Sequence, residues 1–127
     1  NREILIRDNF YIIYPNIDKL LLFGLLNNYY TYSRLEKAGK KYGGGILKIQ
    51  KYDLEEIMII DIDIIEEKDI KDIIELSLKL INTGNTDIIN SISFIMSKYE
   101  NISLEKIIQN LNMQKYERLG KGASYDK

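Results

Sequence analysis

The chain contains no cysteine, no histidine and a single proline, Pro15. Without Cys and His, disulfides, thiol nucleophiles, zinc fingers, iron–sulfur sites, imidazole bases and Ser-His-Asp triads are all excluded. What remains for catalysis is carboxylate, Lys, Tyr or Ser chemistry, or a metal held by oxygens alone. Long apolar runs are also missing. The stretch Leu20 to Leu26 falls far short of the roughly 20 apolar residues that a bilayer-crossing helix needs. No basic-then-apolar leader opens the chain. The expectation is a soluble, cytoplasmic protein with no membrane partner, in keeping with the absence of Cys. The first residue is Asn1 rather than Met, which reads as a piece cut from something longer. Its 127 residues suffice for one compact domain that needs neither disulfide nor metal.

The net charge of −1 conceals a segregation of sign. Arg34, Lys37, Lys40, Lys41, Lys48 and Lys51 face only Glu36 in their part of the chain. From Asp53 to Leu76 the balance reverses, and carboxylates far outnumber Lys68 and Lys71. A basic segment abuts an acidic one.

Residues 3–6 and 10–14 are β-branched or aromatic runs split by Arg7-Asp8-Asn9, the pattern of a hairpin or two short strands. From Ile17 the spacing turns helical through Leu20, Leu21, Phe23, Leu25 and Leu26, then Tyr29, Tyr30, Tyr32 and Leu35, with Gly39 as the C-cap. Gly24 and Asn27-Asn28 weaken this helix by about 1 kcal/mol or less per site, so a kink or break is expected there. Gly43-Gly44-Gly45 reads as a loop, because consecutive glycines have maximal backbone entropy and nothing to pack. Ile46 to Ile49 and Ile57 to Ile62 read as short strands. Beyond Ile65 the period is 3.6: one helix through Ile70 to Ile81 ends at Asn82-Thr83-Gly84, a second starts near Thr86, and a third is capped by Ser103. No periodicity remains after Arg118, where a disordered tail is expected.

Three constellations could carry function. The glycine loop beside lysines could let bare amides approach a phosphate, but it has neither GxxxxGK[ST] nor GxGxxG between strand and helix. A turning connector is the plainer account. The basic run with Tyr29, Tyr30, Tyr32, Tyr42 and Tyr52 interleaved could neutralise phosphates and stack on bases; alternatively it is a solvated face over core tyrosines. Asp61-x-Asp63 shares one face if its segment is a strand. With Asp53, Glu66 and Lys68 the acids imitate the Asp…Glu-x-Lys pattern of metal nucleases, yet Glu66-Glu67-Lys68-Asp69 offers no apolar residue to bury. Acids at a helix N-terminus explain them better, and no metal site is expected.

In order, Leu25-Leu26-Asn27-Asn28, Tyr32, Leu35, Gly39, Tyr42-Gly43-Gly44-Gly45, Leu47-Lys48-Ile49 and Asp53-Leu54-x-x-Ile57 resemble one family. The set is similar to the C-terminal region of N6-adenine DNA methyltransferases of restriction-modification systems, including those fused to a nuclease. It spans about residues 8–60. Asn28 stands where the family usually has Ser, and Ile57 to Asp61 lacks a proline common after the strand. The resemblance implies a target-recognition region that grips double-stranded DNA while an upstream domain binds S-adenosylmethionine and methylates a flipped adenine. This chain lacks the upstream parts: with Pro15 its only proline, an Asn-Pro-Pro-aromatic catalytic motif is impossible. Neither a catalytic residue nor a cofactor site is expected in it.

The resulting expectation is an α+β protein, mostly helical, with a small β-containing part (short strands around 3–14 and 46–62). Residues 1–65 belong to a recognition region and 66–127 form a three-helix appendage with its tail. DNA contact is expected from Arg34, Lys37, Lys40, Lys41, Lys48 and Lys51 on phosphates, with Tyr42, Gly43, Gly44 and Gly45 nearest the duplex. The competing expectation is a helical protein-interaction or specificity module of a restriction-modification complex, its isoleucine faces docked on a partner.

Overall fold

The computed structural model of the chain describes residues 17–42, 46–48 and 60–125. Five α-helices dominate: α1 (Lys19–Leu26), α2 (Tyr29–Ala38), α3 (Glu67–Thr83), α4 (Ile88–Met96) and α5 (Leu104–Tyr125). Two three-residue strands, β1 (Lys40–Tyr42) and β2 (Ile46–Lys48), pair antiparallel after α2. α1 packs on α3, α2 on α5, and α3 on α4, while α2 also touches α4.

The α+β expectation is therefore overturned. The described architecture is helix on helix, and the brief β1–β2 pair supplies no sheet for helices to cover. Of the strands expected around 3–14 and 46–62, residues 3–14 and 49–59 lie outside the described residues. The described end of the second one is not extended: residues 60 and 61 have no regular structure, and Ile62–Ile64 form a 3-10 turn. The cause is local and polar. Asp61 Oδ1 accepts from the Asp63 amide at 2.9 Å, a capping bond that bends the chain despite its isoleucines.

α1 and α2 meet at a corner built by Asn27 and Asn28. The Asn28 side chain caps both helices at once. Its Oδ1 accepts from the free amides of Tyr30 (3.0 Å) and Thr31 (3.1 Å), while its Nδ2 donates to the terminal carbonyls of Gly24 (3.1 Å) and Leu25 (2.9 Å). Asn27 Nδ2 donates to Phe23 O at 2.8 Å, and Thr31 Oγ1 donates to Leu25 O at 2.5 Å. The first amide of α2, Tyr29 N, is taken by Ser93 Oγ of α4 at 2.9 Å. Helix ends leave such groups unbonded, and burying them unmet is costly. The expected break thus falls at Asn27-Asn28.

At the other end Asp18 caps α1 by accepting from Leu20 N (2.8 Å) and Leu21 N (3.0 Å). Gly39 does cap α2, in an extended conformation (φ −73°, ψ 155°). The left-handed C-cap belongs to Gly84, at φ 66°, whose amide closes on Leu80 O at 2.8 Å. Ser103 caps α5 through Lys106 N at 3.2 Å. That helix continues past Arg118 to Tyr125, beyond the point where the spacing of apolar residues stops signalling it.

One hydrophobic cluster joins Leu21, Leu25, Tyr30, Ile65, Ile73, Ile92, Met96 and Ile107. Packing is continuous across residue 65. Gly24 is what allows α1 to lie so close to α3: a Cβ there would sit 2.4 Å from Ile73 Cγ2 and 2.7 Å from Ser77 Oγ. On α3 the buried stripe is Asp69, Ile73, Ser77 and Leu80, spaced as one helix face requires. Two of its four members are polar.

Candidate functional site

The residues expected to contact DNA separate into two groups. Arg34 and Lys37 lie on α2, Lys40, Lys41 and Tyr42 on β1, and Lys48 on β2. Gly43, Gly44, Gly45 and Lys51 lie outside the described residues. The strand register sets Lys40 opposite Lys48, Lys41 opposite Leu47 and Tyr42 opposite Ile46. Lys40 and Lys48 thereby occupy directly opposite positions of the strand pair. Lys37, exposed in the last turn of α2, lies just upstream. These positions follow one another from the C-terminal end of α2 into the strand pair.

Arg34 has a different employment. Its Nη2 lies 2.6 Å from Glu100 Oε1, and the carboxylate is nearly buried. Glu100 Oε2 has no hydrogen-bond partner among the described residues, so this pair is the carboxylate's only described compensation. The arginine braces α2 against the turn before α5.

Two of the tyrosines that could have stacked on bases have clear internal roles. Tyr30 is buried, and its hydroxyl donates to Ile102 O at 2.8 Å. Burial, and next the Glu100 carboxylate, push that hydroxyl's pKa up. Tyr32 donates to Asn27 Oδ1 at 2.9 Å and meets Tyr29 edge to face, with ring centres 6.3 Å apart. Burial raises its pKa, and Tyr29 adds to the effect. Phenols held this way are neutral braces.

Sequence reasoning missed a polar seam between α2 and α5. Glu36, the lone acid of the basic segment, is buried and receives Arg118 Nη2 (2.8 Å) and Nε (3.1 Å) on its two oxygens. Ser33 Oγ bonds Gln114 Oε1 at 2.8 Å. A lone carboxylate amid six cations was the available signal, but its partner lies 82 positions away.

A second polar cluster was also unforeseen. Asp69, buried in the first turn of α3, accepts from Tyr99 Oη and from Lys98 Nζ (3.0 and 3.1 Å). Tyr99 Oη in turn accepts from Glu66 N at 3.1 Å. Hydrogen bonds from Tyr99 and then Lys98 hold the Asp69 carboxyl below its ordinary range. The Lys98 ammonium is held above its usual value by Asp69, and burial followed by the Asp69 bond raises Tyr99. With the phenol protonated and the carboxylate charged, the trio ties α3 to the turn after α4. Acids in the first turn of α3 are Glu67 and Asp69, consistent with the macrodipole account.

Among the described residues no cluster of acidic side chains could hold a metal ion, and no helix is long and apolar enough to cross a membrane. The chain matches no protein-family model, no curated protein and no solved structure.

Proposed function

We propose that this chain is a DNA-recognition part of an S-adenosylmethionine-dependent adenine-specific DNA methyltransferase of a restriction-modification system. In this reading the upstream domain of the parent protein supplies cofactor binding and methyl transfer, and the chain itself grips double-stranded DNA. Support comes first from the ordered set of motifs between Leu25 and Ile57. The observation that carries the reading is the strand register, which sets Lys40 against Lys48 beside Lys37. A strand pair that sets two lysine positions opposite one another supplies positive charge in a short stretch of chain, and a phosphate backbone is the partner that such charge takes up. Arg34 is withdrawn from the contact set because Glu100 already holds it.

Fluorescence anisotropy with several unrelated duplexes tests this. Lys40→Ala/Lys48→Ala is expected to weaken binding to all of them by a similar factor, as phosphate contacts without base readout should. Equal affinity of the variant and the parent chain refutes the assignment.

An interaction module remains the second reading, favoured by one observation. Phe94 of α4 is 65% exposed and stands, with Asn90 and Ser91, at the edge of an open groove against α3, where a partner could cover the ring.

A further inference from the structure

We infer that the groove between α3 and α4 docks a basic amphipathic helix of a partner protein, with Phe94 as apolar anchor and Asp72 and Glu75 as an acidic rim. The inference gives the interaction-module reading its partner chemistry and is independent of the DNA reading, because groove and strand pair share no element.

The cavity measures about 580 Å³ and opens to solvent. Leu76 of α3, Ile95 of α4 and Leu104 of α5 are its half-buried apolar lining, and Phe94 also lines it while largely exposed. An aromatic side chain contributes most to an interface when its full surface is covered. Here most of that surface faces water beside a concave apolar floor. A groove running between two packed helices has the shape that a third helix fills, reading apolar side chains at i and i+4.

Charge selects the occupant. The charged lining residues are Asp72, Glu75 and Lys79. Asp72 and Glu75 are three apart on α3 and so share a side. Neither makes an ion pair among the described residues, and Glu75 does not close one with Lys79 four positions on. The described ion pairs use Arg34, Lys98 and Arg118 elsewhere. Two carboxylates against the single ammonium of Lys79 leave the rim one negative charge in excess, with Asp72 and Glu75 free to pair with lysines or arginines flanking an apolar stripe.

Calorimetric titration of the 127-residue chain with a synthetic leucine–lysine amphipathic peptide tests this, beside a leucine–glutamate peptide of the same apolar pattern. The lysine peptide is expected to bind, and the glutamate peptide at least about tenfold more weakly. Phe94→Ala, a surface change whose fold is checked by circular dichroism, is expected to weaken the lysine peptide about tenfold. Asp72→Asn/Glu75→Gln weakens it several-fold and flattens its salt dependence. Tyr116→Ala, at an exposed aromatic on α5, leaves it unchanged. The inference is overturned by absence of binding, by equal affinity for the two peptides, by a Phe94 variant that binds like the parent, or by equal loss on changing Tyr116. Self-association that depends on Phe94, seen by sedimentation, also overturns it, since the occupant is then a second copy. Loss of DNA binding in the lysine variants leaves every one of these readouts untouched.

Discussion

Replacing Gly24 with alanine sets two known effects against each other. In an unconstrained helix interior the change gains about 1 kcal/mol from backbone propensity. Here the new methyl would stand 2.4 Å from Ile73 Cγ2 and 2.7 Å from Ser77 Oγ, well inside contact distance. Neither neighbour can yield cheaply: Ile73 is β-branched, both side chains are short, and both residues are fully buried. α1 must therefore lift from α3, separating Leu21 and Leu25 from the cluster they share with Ile73 and Ile92. Overpacking of this kind costs about 1–3 kcal/mol, and a shift of the helix places the cost at the upper end. The net expectation is a loss of about 1–2 kcal/mol, or a fall in Tm of about 4–8 °C for a chain of this size. Urea unfolding at constant m-value is the assay. A double-mutant cycle with Ile73→Ala isolates the clash, because the second change removes the methyl that the first one strikes; the two losses should be less than additive. A variant as stable as the parent, or more stable, refutes the close approach of α1 to α3.

Three further outcomes are expected. Asn28→Ala removes an N-cap worth about 1 kcal/mol and a donor to two buried carbonyls, for a total loss of about 2–3 kcal/mol by chemical denaturation. Asn28→Ser keeps an acceptor for the α2 amides but loses the Nδ2 donations, and should lie between the two. Asp69 has a folded pKa below the unfolded carboxylate's ordinary 3.8, so its contribution is present above that value and disappears as pH falls through the folded pKa. Urea titrations across the acid range should show this decline, and Asp69→Asn should flatten it. Ser77 Oγ is buried with no hydrogen-bond partner among the described residues, so Ser77→Ala should leave stability unchanged or raise it by up to about 1 kcal/mol.

Local signals were legible in the sequence wherever they acted within a turn or two. The 3.6-residue spacing marked α3, α4 and the start of α5, Gly84 marked a stop, Ser103 a cap and Asn27-Asn28 a break. Burial was read less well. Leu78, Ile81 and Met113 fit the apolar pattern yet are exposed, while Asp69 and Ser77 occupy the buried stripe of α3. A hydrophobic pattern identifies which faces can be buried, but neighbours decide which are. The strand expected to end at Ile62 shows the same limit: β-propensity is weak beside a single capping carboxylate, Asp61. The polar seams were illegible because Glu36–Arg118 and Asp69–Tyr99 join residues distant in sequence. Of the candidate site, the basic clustering was visible in the sequence. The commitment of Arg34 to Glu100 was not, since nothing near Arg34 announces a carboxylate 66 positions later.

The salt dependence of duplex binding tests the central claim most directly. If Lys37, Lys40 and Lys48 each neutralise a phosphate, log K falls linearly with log salt, and each alanine variant lowers the slope by about 0.9. Arg34→Ala should lower stability and leave the slope alone, because its guanidinium belongs to Glu100. No binding, or a slope that responds to Arg34 and ignores the three lysines, contradicts the account.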